Sequence, residues 1–83
     1  MYTLEFTPHA FKQFERLLRQ AQERISATLQ RITFRPFPHV KRLVGGPYFK
    51  LRVGDYRVIH DIRGRQLVIM VVKVGHRKNV NKD

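Results

Sequence analysis

Two runs of alternating apolar and polar residues, 48–53 and 56–62, are separated only by Gly54-Asp55. Period-two alternation is the pattern of a half-buried strand. A two-residue connection with glycine at its first central position suits a type II′ turn, whose twist matches that of the flanking strands. The pair is therefore a hairpin of fixed register, with Val53 opposite Tyr56, Arg52 opposite Arg57 and Leu51 opposite Val58. Residues opposed in this way share a face. Leu51, Val53, Tyr56 and Val58 form one apolar face that needs a cover, and Lys50, Arg52 and Arg57 project together from the other.

The N-terminal part supplies the cover. After a short alternating strand from Tyr2 to Phe6, Thr7-Pro8 reads as an N-cap followed by proline at the first helical position, where its missing donor costs nothing. Phe11, Phe14 and Leu18 then make an apolar helical stripe, which is expected in the core. A polar break is expected around Arg19 to Gln22, before a second helix carried by Ile25, Leu29 and Ile32 and ending near Thr33. Prolines at 36 and 38 and the Gly45-Gly46-Pro47 run make residues 34–47 a connector. A third strand, 66–74, follows Arg63-Gly64-Arg65, read as a three-residue hairpin loop that sets Arg57 opposite Val71 and puts Lys73 on the basic face. The expected class is α+β, in the order β-α-α-β-β-β. Residues 1–83 form one domain, with a small, mostly antiparallel sheet and both helices packed on one face.

A domain of this length buries only about 60% of the surface its unfolded chain exposes, and with no cysteine it has neither a disulfide nor a thiolate metal site. Its longest apolar run, Leu67-Val68-Ile69-Met70-Val71-Val72, is far too short to span a bilayer, and no signal peptide is recognisable, so a cytoplasmic protein is expected. The formal charge is +11, of which residues 1–33 carry +2 and residues 34–83 carry +9. So strong and uneven a balance points to a polyanionic partner. Solvated surface charge accounts for the first part but not for the second.

Like charges placed opposite each other on a sheet are destabilising by up to about 1 kcal/mol per pair, so the Arg52 and Arg57 pair calls for an anion. Phosphodiester cleavage suits such a cluster, because fixed guanidinium groups stabilise the charge that builds on the phosphoryl oxygens. Lys50 and His76 are the expected proton carriers, with Arg52, Arg57 and Arg77 as phosphate clamps. His60 falls on the apolar side of its strand and reads as a packed, hydrogen-bonded residue rather than a catalyst; His9 and His39 have no evident partner. The histidines lack a short ligand spacing and Gly45-Gly46 lacks the lysine and hydroxyl of a P-loop, so neither a metal nor a nucleotide cofactor is expected.

The stretch Tyr48-Phe49-Lys50-Leu51-Arg52-Val53-Gly54-Asp55-Tyr56-Arg57-Val58-Ile59-His60 resembles the RelE/ParE toxin superfamily, as do Arg42-Leu43-Val44-Gly45 upstream and Val74-Gly75-His76-Arg77-Lys78 near the end; the likeness is closest to RelE-type mRNA interferases. The resemblance spans nearly the whole chain. It implies a type II toxin that enters the ribosomal A site and cuts mRNA there without metal or cofactor, the 2′-hydroxyl attacking the adjacent phosphate. By motif it assigns Lys50, Arg52, Arg57 and Arg77 to the active site, and Arg42, Arg63, Arg65, Lys73 and Lys78 are expected to meet RNA or ribosome. It also implies an acidic, partly disordered antitoxin in a hetero-oligomeric complex, whose helix covers apolar surface and whose carboxylates neutralise the patch. Many relatives place a base-stacking tyrosine shortly after the Gly-His-Arg segment, whereas this chain reads Val80-Asn81-Lys82-Asp83 there. Stacking on an aromatic is worth about 1–3 kcal/mol in nucleic-acid complexes, so a weaker enzyme or a differently built site is expected. Two alternatives stay open at this point: a ParE-like inhibitor of DNA gyrase, and a catalytically silent nucleic-acid binder.

Overall fold

A computed structural model describes residues 1–38 and 40–80, and the side chains of all of these except 79 and 80. The chain is α+β. Strand β1 (Thr3–Phe6) leads into helices α1 (Pro8–Glu15) and α2 (Arg19–Ile32). Strands β2 (Lys41–Arg42), β3 (Phe49–Val53), β4 (Tyr56–Arg63) and β5 (Val68–His76) follow, and a single helical turn, α3 (Arg77–Val80), comes last. The sheet order is β1-β5-β4-β3-β2, parallel only between β1 and β5. Ala10 of α1 and Ile25, Leu29 and Ile32 of α2 pack with Leu51, Val53, Val58, Ile69, Val71 and Val74 of the sheet to form the core. Among the described residues no helix is long and apolar enough to cross a membrane.

The start of α1 is as its sequence dictates: Thr7 is the N-cap, its Oγ1 accepting from the Ala10 N–H at 3.1 Å, with Pro8 opening the helix. Its end is not. The expected break at Arg19 to Gln22 is instead the first turn of α2, and the chain turns earlier, over residues 16–18. Gln22 explains the difference, because its Nε2 donates to the carbonyls of Phe14, Glu15 and Leu17 at 3.0, 3.1 and 3.2 Å. A polar residue that looks like a break thus caps, from the next helix, carbonyls at the end of α1 and in the turn that follows it. The apolar stripe changes accordingly. Phe14 packs on Phe6 with ring centroids 5.4 Å apart, but Phe11 is 47% and Leu18 75% exposed, and it is Ala10 that α1 buries completely.

The first hairpin has the expected register, Val53 to Tyr56, Arg52 to Arg57 and Leu51 to Val58. Gly54 has φ +57° and Asp55 is not in the positive-φ region, as a type II′ turn requires. The second hairpin departs from expectation. Its turn spans four residues, 64–67, with Leu67 at φ +55°, and a β-bulge lies between Ile59 and His60. Arg57 therefore sits opposite Gly75, and Val71 opposite His60. The connector also holds an element that was not expected: β2 pairs antiparallel with β3, Lys41 opposite Lys50 and Arg42 opposite Phe49.

Candidate nucleic-acid interface

Register places two rows of residues on the sheet face away from the helices. One row runs Lys41, Lys50, Ile59, Lys73 across β2, β3, β4 and β5; the next runs Arg52, Arg57, Gly75 across the last three. Lys41, Lys50, Arg52 and Arg57 line a concavity of about 190 Å³. Arg57 is its floor, only 6% exposed, while Lys50 is half-buried and Lys41 and Arg52 stand exposed.

Burying a guanidinium is costly unless its donors are satisfied. Arg57 Nη1 donates to the Gly54 carbonyl at 3.2 Å and to the Tyr56 carbonyl at 3.0 Å, so the hairpin turn itself anchors the group. Among the described residues no carboxylate forms an ion pair with any of the four cations. Two directly opposed like-charge pairs, Lys41 with Lys50 and Arg52 with Arg57, lie side by side. Each costs up to about 1 kcal/mol in the absence of a counter-ion. Arg77 reaches the same end of the sheet by its backbone, its N–H donating to the Asp55 carbonyl in the hairpin turn at 2.7 Å.

The other sequence-expected residues are not gathered here. His76 lies opposite Tyr56 on the helix-facing side, its ring edge-on to Tyr56 at 5.8 Å and its Nδ1 accepting from the Lys78 N–H at 3.2 Å. It lines a separate hollow of about 390 Å³ together with Gln13, Arg16 and Lys73. Arg42 is also on the helix side, its guanidinium 5.6 Å from the centre of the Phe49 ring. Arg63 pairs with Asp61 at 3.1 Å, and Arg65 is in the β4–β5 turn. That turn is some 24 Å from the patch, at about 3.4 Å per residue along β4. Lys78 is exposed in the first turn of α3. Asn81, where the stacking tyrosine is expected, and His39 lie outside the described residues.

His60 is the packed residue its alternation implies. It is 0% exposed, stacks on Phe49 with centroids 6.1 Å apart, and has Nδ1 3.4 Å from the Val58 carbonyl. Among the described residues its Nε2 has no hydrogen-bond partner. Burial pushes its pKa below the ordinary histidine value, against smaller upward pulls from the Val58 carbonyl and Asp61. Lys41 is the residue that sequence reasoning missed. Its only signal is position, next to Arg42 and two residues before Leu43-Val44-Gly45 closes, and a two-residue strand shows no periodicity.

Two N-terminal helices over a small, mostly antiparallel sheet, whose open face carries a basic hairpin without a carboxylate partner among the described residues, define a RelE-like fold. Over residues 4–81 the chain matches the family described as ParE toxin of type II toxin-antitoxin system, parDE, and it belongs to that family, within the RelE/ParE superfamily and on its RelE side. It is 28% identical over 80 residues to the mRNA interferase toxin RelE of Escherichia coli (strain K12), an alignment covering 93% of this chain and 84% of that protein. It is similar to a chain of the intact E. coli RelBE toxin-antitoxin complex, with a TM-score of 0.81 at 26% identity, covering 92% of this chain and 96% of that one. A chain of the archaeal RelE-RelB complex from Pyrococcus horikoshii shares the fold at a TM-score of 0.80 and 23% identity, covering 95% and 98%.

Proposed function

We propose that this protein is the toxin of a type II toxin–antitoxin pair and cuts mRNA in the ribosomal A site without metal or cofactor. The observation that carries the reading is the concavity formed by Lys41, Lys50, Arg52 and Arg57, cationic throughout and without a carboxylate partner among the described residues. In the reaction the O2′–P bond forms as the P–O5′ bond breaks, leaving a 2′,3′-cyclic phosphate and a 5′-hydroxyl. Lys50 takes the 2′-hydroxyl proton, and the departing 5′-oxygen is protonated from the same cluster of cationic side chains. Arg52 and Arg57, with Arg77 from the start of α3, stabilise the charge that accumulates on the phosphoryl oxygens. His76, edge-on to Tyr56 across the sheet from the concavity, has the weaker claim of the two proton carriers.

The partner is an acidic, partly disordered antitoxin in a cytoplasmic hetero-oligomer. Exposed Leu18, Phe34 and Phe37 offer the apolar surface that such a chain covers as it orders. The test is primer-extension mapping of mRNA on programmed ribosomes, with naked mRNA and Arg77→Ala as controls. A wild-type-specific 5′ end within the A-site codon, absent from naked RNA, is the expected result. Intact mRNA from folded wild-type protein overturns the reading, and a gyrase supercoiling assay then separates a ParE-like poison from a silent binder.

A further inference from the structure

We infer that the concavity is a clamp for two consecutive phosphates, and that Lys41 holds the phosphate adjacent to the one being cleaved, with Lys50 standing between the two. The inference rests on the RNA-cleaving reading above and extends it to a residue outside the hairpin.

Charge balance favours a second anion. A phosphodiester carries one negative charge, so a single phosphate leaves most of the charge on Lys41, Lys50, Arg52 and Arg57 uncompensated. The four also divide by position. Arg52 and Arg57 oppose each other at the turn end of the hairpin, beside the backbone of Arg77, whereas Lys41 and Lys50 oppose each other one row further from the turn. Two residues along a strand separate the rows by about 7 Å, a spacing for neighbouring phosphates of an extended strand rather than for the oxygens of one.

The way Lys41 is held supports the same division of labour. It belongs to a strand of two residues, and the other, Arg42, is anchored on the opposite face over the Phe49 ring at 5.6 Å. The Leu43 N–H closes the loop behind by donating to the Tyr48 carbonyl at 2.9 Å. An edge strand this short contributes little to the sheet, yet it fixes an exposed lysine directly opposite another lysine, a placement that only an anion rewards. Lys41 is thus a positioning residue that binds the substrate strand beside the reacting phosphate.

Two measurements on purified protein test this. In the first, a short single-stranded oligonucleotide with 2′-O-methyl sugars, which cannot be cut, is titrated by fluorescence anisotropy over a salt series. Lys41→Gln is expected to flatten the slope of log K against log salt by about 0.7, the value for one phosphate contact on a single strand, and Lys41→Arg to restore it. In the second, single-turnover cleavage on programmed ribosomes, Lys41→Gln is expected to raise the half-saturating toxin concentration several-fold, by more than it lowers the maximal rate. Equal salt slopes for wild type and Lys41→Gln, or no binding of the oligonucleotide by wild type, overturn the inference. So does a loss confined to the maximal rate, which puts Lys41 on the scissile phosphate instead. Wild type that binds with the expected slopes but leaves ribosomal mRNA intact sinks the nuclease reading and keeps the two-phosphate clamp.

Discussion

Mild acid should destabilise this fold through one residue, and the size of the effect follows from where the His60 ring sits. The ring is fully buried and stacked on Phe49, and among the described residues Nε2 has no hydrogen-bond partner, so a second proton there would place a charge in the core with only the smaller pull of Asp61 to offset it. Burial holds the folded-state pKa below the ordinary value of 6.5, which the unfolded chain keeps. Between the two values the unfolded state binds a proton that the folded state refuses. Stability is therefore complete above about pH 6.5 and falls as the pH drops through that window, by at most about 1.4 kcal/mol per pH unit. At pH 5.5 the loss is therefore at most about 1.4 kcal/mol, an upper bound of about 5–10 °C in melting temperature for a domain of this size. The assay is thermal unfolding by far-UV circular dichroism at pH 7.5 and 5.5 for wild type and His60→Phe. Phenylalanine keeps the stack on Phe49 and removes both nitrogens, so the variant is expected to shed the larger part of the acid loss. Equal losses in the two proteins would refute the assignment and move the acid sensitivity to the carboxylates.

Four further outcomes follow from the hairpin and from Arg77 beside it. Arg52→Glu converts a like-charge opposition into an opposite-charge pair with Arg57, so it is expected to raise urea stability by roughly 0.5 kcal/mol while cutting cleavage at least tenfold; a variant that is active or less stable contradicts the patch energetics. Gly54→Ala is expected to cost about 1–2 kcal/mol in chemical denaturation, because φ is +57° there and the added Cβ meets the Arg24 guanidinium at 3.1–3.4 Å. Arg57→Ala loses two bonds to turn carbonyls and is expected to cost stability, about 1–3 kcal/mol, as well as cleavage. Exposed Arg77→Ala is expected to lose cleavage with its melting temperature nearly unchanged.

The contrast between the two hairpins shows what the sequence makes legible. Gly54-Asp55 leaves one turn geometry, and every pair from Val53–Tyr56 to Leu51–Val58 follows from it. Arg63-Gly64-Arg65 leaves several, and the bulge opposite Ile59/His60 leaves Val72 of β5 without a partner, in an apolar run where alternation cannot reveal an extra residue. The boundary between the helices was hidden for a different reason: Gln22 acts across seven residues on Glu15 and eight on Phe14, and a local reading of polarity sees only an interruption. The site divides along the same line. Lys50, Arg52 and Arg57 come together because one turn sets their face, whereas the side taken by His76 depends on β5, whose register was not legible. Lys41 and Arg42 are neighbours in sequence, but a two-residue strand sends one to each face, and only pairing with β3 decides which.

A patch of this kind has to be rigid before its ligand arrives, since donors that must first be ordered lose much of their advantage in stabilising a charge that develops only during reaction. Arg57 meets that requirement. Its Nη1 is fixed by the Gly54 and Tyr56 carbonyls, and the group lines the concavity while nearly buried among three more accessible cations. The turn that sets the register is thus also the turn that aims the guanidinium, so the geometry of Gly54-Asp55 serves fold and site together. The opposed cations weaken the sheet where they stand, and the helix-covered face, with Leu51, Val53 and Val58 at 6% exposure or less, supplies the compensating stability on the same two strands. Because fold and proposed site draw on the same strands, a substitution that relieves the repulsion is expected to strengthen the hairpin and weaken cleavage in one step.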